Sequence, residues 1–176
     1  SGPMQGEFKF IKKDEFDHQN DEHTLYRNTL TGVIVQFSGW HDSQSPIVSY
    51  QMYGGTTPGP NGGTADIFSM YDVTGKVGQE INIDAKLSSY TATGYIYITL
   101  RSTNKPGKFS EKYVTILIDK TAPTKGTVVD ATSTLNGTDL ICSTDVTQLV
   151  YNWTASTDGE TGIAYYESGV GTSAGS

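Results

Sequence analysis

The chain has 176 residues, enough for one ordinary domain or one and a fraction. Twelve basic residues against nineteen acidic ones leave a formal charge of −7, so most of the surface would repel a nucleic-acid backbone and no nucleic-acid partner is expected. Twenty glycines, six prolines and only 18% charged residues, among many Thr, Ser and Tyr, describe a β-rich protein without long helices.

The opening "SGPM" reads as residue left by tag removal. Residues 1–6 are therefore expected to be remnant and linker, and a missing secretory leader says nothing about destination. No apolar run reaches the eighteen or so residues of a membrane span. "FKFIKK" then gives a first strand. "DEFDHQNDEH" (14–23) gathers Asp14, Asp17, Asp21 and Glu22 with His18 and His23, whose oxygens and imidazoles suit cations. The spacing matches neither an EF-hand loop nor a His-x-x-x-His pair, so a solvated acidic loop is expected and no metal or cofactor is predicted.

In "GVIVQFSGW" the residues Val33, Val35 and Phe37 alternate with Ile34, Gln36 and Ser38, the period of a strand with one buried face. His41 and Asp42 follow. A nucleophilic triad needs a base held by an acid and aimed at Ser or Cys, and no G-x-S-x-G context accompanies this pair. Asp42, and Asp158 later, are expected to cap turns by accepting from backbone N–H groups, and the chain is not expected to be an enzyme. "PIVSYQMY" is a strand that "GGTTPGPNGG" breaks. "EINIDAKL" reads as another, with Ile81, Ile83 and Ala85 on one side. "YIYITLRS" puts Ile96, Ile98, Leu100 and Ser102 on one face and Tyr95, Tyr97, Thr99 and Arg101 on the other. After the turn "NKPGK", "KYVTILID" supplies the last strand.

These are six or seven short strands with no credible helix, the spacing of two antiparallel sheets packed face to face. "IDKTAPT" ends the unit, because proline cannot continue a ladder. The single cysteine, Cys142, excludes an internal disulfide and a cysteine-based zinc site.

An internal echo follows. Residues 33–60 lie over 149–176 at a constant offset of 116, pairing Asp42 with Asp158, Ile47 with Ile163, Tyr50 with Tyr166 and Gly55 with Gly171, and setting Phe37 opposite Trp153. The same offset pairs Asp14 with Asp130. A period of this size signals repeated domains, each with its own core. The expected organisation is one complete unit at 7–120 and the first half of a second at 121–176.

"WTASTDGETGIAYYESGVGTSAG", "GTTPGPNGGTADIFSMYDVTG", "YIYITLRSTN" and "LIDKTAPTKGTVVDA" together resemble fibronectin type III-like and immunoglobulin-like tandem repeats of large extracellular proteins. The resemblance implies an all-β antiparallel sandwich and an extracellular or cell-surface location. It implies a rigid spacer or adhesion module, with a glycan- or protein-binding module as the alternative. Tyr50, Tyr53 and Tyr97 are the expected contact face. Asn136 and Asn152 open N-x-[ST] sequons and are candidate glycosylation sites. An apolar half-sheet does not persist alone in water, so other chains or copies of this one are expected to complete residues 125–176 over Val150, Trp153 and Ile163.

Overall fold

The computed structural model describes residues 1–11, 21–60, 62–130 and 151–169. Asp14, Asp17, His18, Asn136, Cys142 and Val150 lie outside the described residues. The chain divides into two compact units, Ser1–Lys120 and Thr121–Ser176.

In the first unit, β1 (Glu7–Phe10), β3 (Ile34–Ser38) and β6 (Ile81–Asn82) form one antiparallel sheet in the order β1-β3-β6. β2 (Thr24–Arg27), β4 (Ile47–Gly55), β5 (Phe68–Asp72), β7 (Gly94–Asn104) and β8 (Phe109–Ile118) form the other, ordered β2-β8-β7-β4-β5. Its pairings are antiparallel except that β2 runs parallel to β8. The architecture is mostly β, as the composition implies.

Period-two alternation directs one face of each sheet inward. Phe8, Phe10, Val35 and Phe37 from the smaller sheet share one core with Met52, Ile96, Ile98, Leu100, Val114, Ile116 and Ile118 from the larger. Burying each such side chain stabilises the fold by about 1.5–3 kcal/mol. Tyr50 joins this core, its ring 5.0 Å from that of Phe37.

The structure differs from the sequence reading at three places. Residues 1–6 pack on the unit: Met4 bridges to His41, and the Pro3 carbonyl accepts from Ser110 Oγ. "EINIDAKL" is a strand only at Ile81–Asn82, after which α1 (Asp84–Leu87) makes one helical turn. The Asp84 carboxylate accepts from the Gly32 and Val33 amides, each at 2.8 Å, and Asn82 Oδ1 accepts from the Asp84 amide. The chain turns there, burying Ile83 and Leu87 and leaving Ala85 exposed. β2 and β5 are also additional strands.

In the second unit, β9 (Val128–Asp130) pairs antiparallel with β10 (Tyr151–Trp153), and an isolated bridge joins Thr124 to Thr157. Trp153 is 54% exposed, unlike Phe37 at 1%, because no second layer covers it among the described residues. Ile163 is half-buried.

Candidate functional site: the outer face of the larger sheet

The residues of β7 and β8 that do not face the core line up on the opposite surface. Register sets Tyr95 against Leu117, Tyr97 against Thr115, Thr99 against Tyr113, and Arg101 against Glu111. Tyr97 therefore has Tyr113 as a diagonal neighbour, a distance that aromatic rings span. Tyr95 and Tyr97 stack at 6.2 Å with planes 19° apart, and the edge of Tyr113 meets Tyr97 at 5.6 Å. Tyr95 is 54% and Tyr113 39% exposed, so this three-ring ladder faces solvent.

The other end of the same face is closed. Glu111 is buried, and its Oε1 accepts from Arg101 Nε at 2.7 Å and from the Tyr53 hydroxyl at 3.0 Å. Burial, then the Glu111 charge, pushes the Tyr53 phenol above its ordinary pKa. The Arg101 guanidinium lies 4.3 Å from the centre of the exposed Phe109 ring, a cation–π contact.

The loop after β4 forms the cover. A Cβ on Gly59 would sit 2.9 Å from Thr99 Cγ2 and 3.0 Å from the Tyr53 oxygen, so glycine is what allows this close approach. Asp66 pins the loop by accepting from the Thr56 amide at 2.9 Å and from the Thr56 and Thr64 hydroxyls at 2.6 Å each. Those donors hold its carboxyl at a pKa of about 2.

Of the expected contact tyrosines, only Tyr97 belongs to the open ladder. Tyr50 points into the core against Phe37 and Trp40, and Tyr53 lies under the loop segments that carry Gly59 and Gly63, with exposures of 8% and 3%. Tyr95 and Tyr113 take their places. Tyr95 shares Tyr97's parity in the sequence, whereas the position of Tyr113 depends on the β7–β8 register.

The remaining candidates are accounted for locally. Asp42 Oδ1 accepts from the Gln44 and Ser45 amides at 2.8 and 3.1 Å, and its other oxygen accepts from Asn104 Nδ2 at 2.8 Å. Asp158 Oδ1 accepts in the same way from Glu160 and Thr161, at 2.9 and 3.0 Å. In the acidic segment, Asp21 Oδ1 accepts from the His23 and Thr24 amides, Glu22 pairs with Lys9, and His23 meets Glu7. Among the described residues no group of three or more His, Cys, Asp or Glu side chains is placed to hold a metal. No described helix is long and apolar enough to cross a membrane. Asn152 lies on β10, half-buried.

Compared with known proteins, the sequence matches no family model and no curated protein.

Proposed function

We propose that this chain is part of an extracellular multi-repeat protein, in which the first unit is a rigid β-sandwich spacer that also makes protein contacts through the Tyr95–Tyr97–Tyr113 ladder. The observation that carries this reading is the ladder itself. Three rings stand in mutual contact on one sheet face with Tyr95 and Tyr113 exposed, so together they offer a contiguous aromatic surface rather than scattered single side chains. Tyrosine supplies contact area at low conformational cost and keeps a hydroxyl for the polar rim, which is why interfaces favour it. Two sheets sharing one core, with the strand orders given above, support a fibronectin III-like or immunoglobulin-like sandwich. A two-layer bead of this kind suits a spacer, and the Thr-Ala-Pro-Thr segment suits a short, stiff link.

A second reading, a glycan platform, is favoured by one feature. Tyr95 and Tyr97 stand with their planes nearly parallel, and the exposed Tyr95 ring offers a face for stacking on a pyranose.

The test is to present the immobilised chain to a peptide-display library and to an oligosaccharide array. Peptide binders that lose at least tenfold affinity on Tyr95→Ala, Tyr97→Ala or Tyr113→Ala support the contact-module reading. Oligosaccharide binding lost in the same variants supports the platform instead, and binding that ignores all three tyrosines overturns both.

A further inference from the structure

Several contacts of the first unit recur in the second at its described positions. In unit one Phe8 pairs with Phe37 and Met4 bridges to His41; in unit two Val128 pairs with Trp153 and Thr124 bridges to Thr157. The later member of each pair keeps the offset of 116, while the earlier member moves by 120, so the two strands match once a four-residue difference falls between them. Gly6 and Gly126 obey the same offset of 120. A Cβ on either would overlap the carbonyl oxygen of its counterpart neighbour, Ser38 or Thr154. The ring pairs agree too: Phe37 and Tyr50 are tilted by 43°, and Trp153 and Tyr166 by 44°. Asp42 and Asp158 cap equivalent turns.

What differs is burial. Phe8, Phe37 and Tyr50 are 0%, 1% and 8% exposed, whereas their counterparts Val128, Trp153 and Tyr166 are 67%, 54% and 50% exposed. In unit one those three positions belong to the same core as the inner residues of β7 and β8, Ile96, Ile98, Leu100, Val114 and Ile116.

We propose that Val128, Trp153 and Tyr166 form an acceptor face whose occupant is a β-sheet with the inner surface of β7 and β8, alternating Ile, Leu and Val. The inference rests on the repeat reading and does not depend on what the tyrosine ladder binds. The unit-one core specifies the occupant's chemistry: aliphatic side chains at every second position, from strands able to lie across two aromatic rings.

The chain contains two tryptophans, so Trp40→Phe leaves Trp153 as the sole reporter. In that background a second copy of residues 61–120 is joined after Ser176, and in a parallel experiment a synthetic hairpin of residues 94–118 is added to the unextended chain. The expected result is at least a threefold fall in acrylamide quenching of Trp153 and a blue-shifted emission in one or both arrangements. A joined segment carrying Asp at the counterparts of Ile96, Ile98 and Leu100 leaves quenching unchanged. Unchanged quenching in both arrangements overturns the proposal. So does a Trp153 already shielded in the unextended chain by dimerisation, seen in sedimentation, because the occupant is then a second copy. Binding at the tyrosine ladder is read separately on the unextended chain, so either reading can fail without the other.

Discussion

Arg101 and Glu111 face each other across β7 and β8, with Nε 2.7 Å from Oε1, and share one ion pair unequally: the arginine side chain is 29% exposed and the glutamate 3%. Arginine can turn its charge to water when its partner is lost, whereas the glutamate cannot. Arg101→Leu is therefore expected to cost about 3 kcal/mol, the cost of an uncompensated buried carboxylate. Glu111→Gln, which keeps an acceptor for the Tyr53 hydroxyl, is expected to cost about 1 kcal/mol. Denaturant midpoints of the two variants measure the asymmetry, and equal losses would contradict it.

Phe37 and Trp153 each lie in an antiparallel strand pair, Phe37 opposite Phe8 and Trp153 opposite Val128, but in opposite solvent environments. Phe37→Ala opens a cavity in the shared core and is expected to cost about 3–5 kcal/mol. Trp153→Ala removes a mostly solvated ring, so its cost stays near about 0.5 kcal/mol. Chemical denaturation of the full chain followed by circular dichroism separates the two.

Gly6 lies so close to the Ser38 carbonyl that a methyl group cannot be accommodated without moving backbone. Gly6→Ala is expected to destabilise the first unit by more than about 1 kcal/mol through local strain. Gly75 has open space where its Cβ would be, so Gly75→Ala serves as the matched control and leaves the thermal midpoint nearly unchanged.

The loop over Tyr53 depends on an ionised Asp66. Its folded pKa of about 2 lies below the ordinary 3.8, so the carboxylate stabilises the loop above pH 3.8 and that contribution fades as the pH falls toward 2. Exchange of the Thr56 amide, whose acceptor is Asp66, is expected to speed up across that interval. In Asp66→Asn the pH step disappears. An acid transition of the same size in both proteins would show that the loop is held otherwise.

Legibility in the sequence followed periodicity. β3, β4, β7 and β8 announce themselves because an apolar residue recurs at every second position, and the Asp42 and Asp158 turns because a carboxylate precedes free backbone amides by two or three residues. "TLYR" does not announce itself. Its place comes from a parallel pairing to residues 115–118, which no local pattern encodes. "INIDAKL" fits two periods at once: Ile81 and Ile83 suggest a strand, while Ile83 and Leu87 are one helical turn apart. The Asp84 contacts to Gly32 and Val33 decide for the helix. At the site, Tyr50 and Tyr53 are three apart and so cannot share one face of a regular strand, an inconsistency that their spacing alone reveals. Tyr113 could not be found that way, because strand register alone brings it beside Tyr97.

Strand β2 is hydrogen-bonded to β8, so Thr24 reaches its partner Thr115 only when nearly the whole first unit has been synthesised. Such a long loop closes at an entropic cost before its contacts reward it. On the ribosome the first unit therefore cannot close until its final strand has emerged. The polypeptide from Thr121 onward emerges after that strand, so the first unit completes its own sheet before the later residues are free to compete for it.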